Sequence, residues 1–325
     1  MTAKQIHIIL KKARVSGFVL LLLTLFALHG ISQNTYRFSQ YMFNELSVNP
    51  AYAGTKNAIV GNLIYRNQWM GIEGQPTTQI LSLQSPVRSK KIGLGALLYK
   101  DNIGIQNDVG MYLSYAYHIR FDQSYLSFGL QAGMINKKIN WNEIETASQR
   151  LNGEPDPVFP LVAQEFWMPN FGFGAYYYSE QYYIGMSMPR ILANELPVDN
   201  QFADLFTLST AQIHLFITAG YVFYLKNGIA FKPSLLFKRV KNTPSQLDLN
   251  MNIFLANGLN FGLGIHFKDS YVFMLGYSLS ENLRLSYSFD LTVSNLAYNN
   301  PVTNEIVLSY MIHSKNDRII SPRYF

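Results

Sequence analysis

The sequence predicts an all-β protein: a transmembrane, antiparallel, up-and-down β-barrel of about 14 strands, preceded by a cleaved signal peptide. Three observations lead there. The first is strict alternation. Val109, Met111, Leu113, Tyr115, Tyr117, Ile119 and Phe121 take every second position of one stretch, with Gly110, Tyr112, Ser114, Ala116, His118 and Arg120 between them. Successive side chains of a strand point to opposite faces, so one face is wholly apolar and the other small or polar. After Asp122-Gln123 the pattern restarts, with Leu126, Phe128, Leu130, Ala132 and Met134 opposite Ser127, Gly129, Gln131 and Gly133. Runs of this length suit a bilayer, which takes about 9–11 residues per strand against about 5–6 in ordinary soluble sheets. A lone hairpin would leave unpaired edges in lipid, so the rest of the chain must close it into a barrel.

The second observation is composition. Of 325 residues only 14% are charged, while Tyr and Phe number 22 each. Soluble domains carry about 25% charged residues, and aromatic girdles are a mark of membrane barrels. The chain has no Cys, which excludes a disulfide framework and any thiolate metal site.

The third is an export signal over residues 1–32. Lys4, Lys11, Lys12 and Arg14 form its positive region, Phe18 to Leu28 its apolar core, and Gly30-Ile31-Ser32 supplies small residues before a cut expected at Gln33. The apolar core is shorter than the roughly 20 residues a helical span needs. This segment holds four of the basic residues and none of the acidic ones, so the formal charge of +6 falls to +2 without it. No Lys/Arg cluster with interleaved aromatics remains to suggest nucleic acid.

The mature chain opens with a lead-in, 33–57, that does not alternate. It is an amphipathic aromatic stretch followed by a turn-rich one, as expected of a segment folded at the barrel mouth or inside its lumen. The barrel itself is expected over 58–313. Ile59–Trp69 is the first strand, Thr77–Ser85 a weaker second and Ile92–Tyr99 a third; the hairpin above supplies the fourth and fifth. Phe171–Tyr178, Tyr182–Met188, Ile213–Tyr224 and Ile229–Val240 follow. Then come Leu247–Leu255, Leu259–Phe267 across an Asn257-Gly258 type I′ turn signal, Tyr271–Leu279, Leu283–Leu291 and Ile306–Ile312. An even count agrees with bacterial barrels, and connections alternate in length as they should if both chain ends are periplasmic, Asp269-Ser270 alone being short where a surface loop is expected. The longest, 136–169, 189–212 and 292–303, follow odd strands and fall on the cell-surface side. A tail, 314–325, runs past the last strand, where Pro322 argues against further pairing.

Titratable residues project to the polar face of the strands. Arg66, His118, Arg120, Lys232, Lys238, Asp248, His266, Arg284 and Asp290 would line the lumen, either as a hydrogen-bonded filling or as a transport path. Ser114 shares a face with His118 but lies about 13 Å along the strand, too far for a nucleophile–base pair. His118, His214, His266 and His313 lack ligand spacing. Paired glycines such as Gly93-Leu94-Gly95 lack the third glycine and the helix of a dinucleotide site, and fit relief of crowding in a lumen. No catalytic, metal or cofactor site is predicted.

The lead-in Phe38-Ser39-Gln40-Tyr41-Met42-Phe43-Asn44 and Asn49-Pro50-Ala51-Tyr52-Ala53-Gly54 resembles the opening of the PorP/SprF family, outer-membrane proteins of the Bacteroidetes type IX secretion and gliding motility system. Tyr65-Arg66-Asn67-Gln68-Trp69, Asp101-Asn102-Ile103-Gly104, Pro169-Asn170-Phe171-Gly172 and Ser321-Pro322-Arg323-Tyr324-Phe325 continue the likeness. One departure is Glu45, where a proline is expected. The resemblance implies a non-enzymatic barrel without cofactors. Such a barrel assists secretion or surface anchoring of an adhesin through the adhesin's C-terminal domain, together with periplasmic components of the machine. The alternative is a transporter for small or hydrophobic solutes with residues 33–57 as its plug. The two non-alternating segments are aromatic and basic, as interface anchors are. Phe38, Tyr41, Phe43, Tyr52, Arg323 and Tyr324 are therefore the expected periplasm-facing partner site.

Overall fold

The computed structural model describes residues 38–87, 91–143, 162–192, 213–240, 243–294 and 302–313. The expected signal peptide and the tail 314–325 lie outside them. The strands are β1 (Ala58–Met70), β2 (Thr77–Pro86), β3 (Ile92–Ile103), β4 (Gln106–Arg120), β5 (Ser124–Ile139), β6 (Gln164–Ser179) and β7 (Tyr182–Met188). They continue with β8 (His214–Tyr221), prolonged past Val222 by Phe223–Tyr224, and β9 (Ala230–Val240). Then follow β10 (Gln246–Phe254), β11 (Leu259–His266), β12 (Ser270–Ser278), β13 (Leu283–Thr292) and β14 (Val302–His313). Each pairs antiparallel with its neighbours in the sequence, and β1 pairs with β14 from Ala58↔His313 to Arg66↔Glu305. That last pairing closes a 14-stranded barrel and removes every sheet edge.

The alternation is inverted relative to a water-soluble barrel. Along β4 the apolar positions 109–119 are exposed and the glycine, serine and histidine face is buried. Leu113, Leu130 and Leu263 are 56%, 65% and 61% exposed on the outer wall. An apolar belt on this scale is a lipid-facing surface.

Several strands run further than their apolar alternation. β3 continues through Lys100-Asp101-Asn102 and β4 begins at Gln106, which leaves a two-residue turn where residues 100–108 read as a loop. β5 and β6 stay paired from Met134↔Pro169 to Ile139↔Gln164, so the wall takes in both ends of the expected loop 136–169. Here the hairpin rises past the apolar belt and its side chains become charged. Lys137 on β5 sits 3.5 Å from Asp108 on β4, a contact that extends the ladder without any lipid-facing signal. The turn at Asn257-Gly258 is not type I′, because only Gly258 has a left-handed backbone (φ 87°). Consecutive left-handed residues occur instead at Asn227 and Gly228, φ 63° and 72°.

Residues 38–57 occupy the lumen as three single 3-10 turns, Tyr41–Phe43, Glu45–Ser47 and Pro50–Tyr52. The third is set locally. Asn49 accepts the Ala51 N–H at 3.0 Å and Pro50 stands at the first position, where its missing N–H costs nothing.

Candidate functional site: the occupied lumen

The lumenal segment runs from the half of the barrel nearer the long connections down to the short-turn mouth, where it enters β1. At its upper end lies a charged lock. Arg66 on β1 donates to Asp290 on β13 at 3.0 Å and to Glu305 on β14 at 2.9 Å. Glu305 also accepts the backbone N–H of Ser39 and of Gln40, both at 3.0 Å, one on each carboxylate oxygen. The Ser39 hydroxyl donates to Asp290 at 2.6 Å, accepts from Arg66 at 2.8 Å and lies 3.2 Å from His266 Nε2. His266 Nδ1 is in turn 2.7 Å from Asp248, close in distance but bent out of line with the ring N–H.

Serine, histidine and aspartate in this order have the outline of a nucleophile relay. The hydroxyl proton goes to Asp290 rather than to the imidazole, and Arg66 holds the same oxygen. Ser39 is fully buried, so no substrate carbonyl can approach it. The chemistry of the arrangement is cohesion: it ties the start of the segment to β1, β11, β13 and β14 at once.

Below the lock the segment is held by aromatic and charged neighbours. The Arg284 guanidinium stacks 4.2 Å above the Phe43 ring and 5.0 Å from Phe254. Lys232 lies over the Tyr183 ring and reaches the Met42 carbonyl at 3.5 Å. Asn44 accepts from Ser82 at 2.8 Å. Tyr52 packs edge-on against Tyr176, their centroids 5.5 Å apart.

The run from Asn49 to Gly54 then lies backbone to backbone on the wall of β3 to β7. A Cβ on Gly129 would fall 2.2 Å from the Ala51 nitrogen, and one on Gly93 would fall 1.9 Å from the Ala53 oxygen. Only glycine admits such an approach. Around it Ser127 donates to the Ala51 carbonyl at 2.7 Å, Ser187 to the Val48 carbonyl at 2.6 Å, and Asn49 to the Ala175 carbonyl at 3.1 Å. His118 Nε2 is 3.0 Å from the Ala53 oxygen, and the Gly54 N–H reaches Gln84. A void of about 30 Å³ lies between Phe38, Tyr41, His214 and Asp248, room for about one water.

Of the residues expected to line the lumen, Arg66, His118, Lys232, Lys238, Asp248, His266 and Asp290 are buried inside the barrel. Arg284 is half-buried, and Arg120 is exposed at the short-turn mouth. Of those expected at a partner site, Phe38, Tyr41, Phe43 and Tyr52 are buried in the lumen instead of facing the mouth. The lumen offers their rings apolar contacts and their backbone hydrogen-bond partners, and the described chain begins at Phe38 above mid-barrel. Arg323 and Tyr324 lie outside the described residues. Sequence reasoning missed Ser39, Gln40, Glu45 and Glu305. Glu305 precedes the apolar alternation of its strand, though extending that alternation backwards would have placed it on the inner face.

A sequence profile described as "Type IX secretion system membrane protein PorP/SprF" matches residues 31–310. The chain belongs to the PorP/SprF family. With the closed barrel and its apolar belt, membership makes this an outer-membrane component of the type IX secretion system. No curated protein matches the sequence closely enough to count as a relative. Among solved structures, the CymD monoaromatic hydrocarbon channel is similar at 12% identity and a TM-score of 0.47, over 87% of this chain and 95% of that one. A Pseudomonas aeruginosa FadL homologue is similar at 10% identity and 0.45, over 84% and 93%. Outer membrane phospholipase A from Escherichia coli is similar at 12% and 0.36, over 78% and 92%.

In this PorP/SprF protein the lumenal segment carries its own titratable group. Burial pushes the Glu45 carboxyl up to about 7, against the pull of the Lys232 ammonium. A carboxyl raised on folding stabilises the folded state fully below its unfolded value near 4.5, and that contribution is lost as pH rises through about 7. Thermal unfolding of the purified barrel should therefore shift to lower temperature between pH 5 and 8. Glu45→Gln should flatten that dependence, and an unchanged slope would rule Glu45 out as its source.

Proposed function

We propose that the protein is a closed, non-enzymatic outer-membrane anchor. It assists secretion or surface retention of an adhesin-like partner by holding the partner's C-terminal domain, and it couples that partner to periplasmic components of the type IX machine. The observation that carries this reading is the occupied lumen. Among the described residues, the lead-in from Phe38 to Gly54 is buried inside the barrel, which leaves the two mouths and the lipid-facing wall as surfaces for partners. The solute-transporter reading needs a passage that the lock and the glycine-seated segment fill. Orientation is read from the three longest connections, which follow β5, β7 and β13 and are assigned to the cell surface, although the β3–β4 and β11–β12 turns at that end are short.

Two measurements test the proposal together. Purified protein in planar bilayers should show no steady conductance, while affinity capture from native membranes should retrieve a large secreted protein through its C-terminal domain. Sustained conductance without a retained partner would overturn it. For orientation, an impermeant maleimide on whole cells should label Gly153→Cys and spare Asn227→Cys; the reverse pattern would invert the assignment.

A further inference from the structure

The short-turn mouth is not flat. An open groove of about 520 Å³ runs across it. Its floor is the end of the lumenal segment, Gly54, Thr55 and Asn57, and its far wall is built from the β4–β5 and β6–β7 turns. Arg120 and Asp122 come from the first turn and Glu180 from the second, with Tyr125, Tyr178 and Tyr182 beside them. Tyr125 and Tyr178 stack with centroids 5.2 Å apart and planes 14° from parallel. Two carboxylates and three phenol rings against one guanidinium make a seat for a basic, aromatic segment of polypeptide.

We propose that the groove seats this chain's own residues 314–325. Position comes first. The last strand ends at His313, directly across the β1–β14 seam from Ala58, and Asn57 of the groove floor immediately precedes Ala58. The tail therefore leaves the wall beside the groove. Reach comes second. Twelve residues extend to about 40 Å, and a 14-stranded barrel is roughly 28 Å across its backbone, so the tail can cross the mouth to the far wall. Chemistry comes third. The tail carries Lys315, Arg318 and Arg323 against the single acid Asp317, together with Tyr324 and Phe325. Its guanidiniums match Asp122 and Glu180, and both guanidinium planes and rings stack on tyrosine faces. The inference holds whichever partner the barrel serves.

The absence of Cys from the sequence makes paired cysteines a clean probe in the full-length, detergent-purified barrel. Gln123 lies in the groove wall, whereas Asn257 is exposed in another short turn at the same mouth. Around the wall, Asn257 is nearer to β14 than Gln123 is. Under mild oxidation, Gln123→Cys with Arg323→Cys should form a disulfide about tenfold faster than Asn257→Cys with Arg323→Cys, because seating raises the local concentration at one place only. Rates are read on the folded, heat-modifiable band alone. Asp122→Lys with Glu180→Lys should bring the groove pair down to the control rate. Maleimide labelling of Gln123→Cys should be about tenfold faster when residues 314–325 are deleted than in the full chain. A free tail would react with Asn257→Cys as fast as with Gln123→Cys or faster. That result, or equal labelling with and without the tail, would overturn the proposal.

Discussion

Gly129→Val is expected to unseat the lumenal segment and turn a closed barrel into a conducting one. The first added carbon alone would sit 2.2 Å from the Ala51 nitrogen and 2.4 Å from the Pro50 carbonyl carbon, and both are backbone atoms that no rotamer change can move. Overpacking a filled interior costs about 1–3 kcal/mol, and often more where backbone must shift. The hydrogen bonds from Ser127 to Ala51, from Asn49 to Ala175 and at His118 depend on the same approach. Each is worth about 0.5–1.5 kcal/mol. Two readouts follow. Steady current should appear in planar bilayers, and Ser47→Cys, half-buried in the parent, should react with a hydrophilic maleimide. Leu130→Ala, one residue along on the lipid face, should leave both silent. A Gly129→Val barrel that stays closed and unreactive would mean the segment does not depend on the glycine wall.

Arg66→Ala is expected to cost about 3–5 kcal/mol of barrel stability, because it strands two buried carboxylates, Asp290 and Glu305, without their cation. The Ser39 hydroxyl also loses a donor. Arg66→Lys should recover only part of the loss, since one ammonium cannot fork between two carboxylates as a guanidinium does. The triple variant Arg66→Met, Asp290→Asn, Glu305→Gln should recover most of it, because the penalty comes from unpaired charge and not from lost volume. Urea midpoints in lipid vesicles separate these cases. A triple variant as unstable as Arg66→Ala would show that the lock contributes by shape alone.

The wall was readable from sequence because lipid enforces a period of two on every residue that touches it. β7 spans Tyr182–Met188 as the alternation indicates, and the remaining strands differ from their expected spans mainly at the ends. Beyond the apolar belt the constraint lapses. There the ladder continues through Lys100-Asp101-Asn102 and Lys137-Lys138 with nothing in the sequence to mark it. Glu305 went unread for the same reason, since it stands at the end of β14 where apolar alternation has not begun. The lumenal segment was legible as non-strand but not in its contacts, because 3-10 turns have no long period. Its partners are also remote in the chain: Ser39 and Glu305 are 266 positions apart.

That separation bears on how the protein is made. The lock draws its charged core from the first residues of the described chain, from the first strand and from the last two, with His266 added from β11. Arg66 and Glu305 are direct partners across the β1–β14 seam, so the hydrogen bonds to Ser39 and Gln40 complete only once that seam has zipped. Barrel closure and seating of the segment are therefore one cooperative step with very non-local contacts, the kind that sets slow folding. An assembling chain whose ends have not met lacks the carboxylate that captures its beginning. The lock thus serves as an internal record that the cylinder has been completed in the correct register. A slip of one residue would turn Glu305 outward into lipid and leave Arg66 facing an empty place.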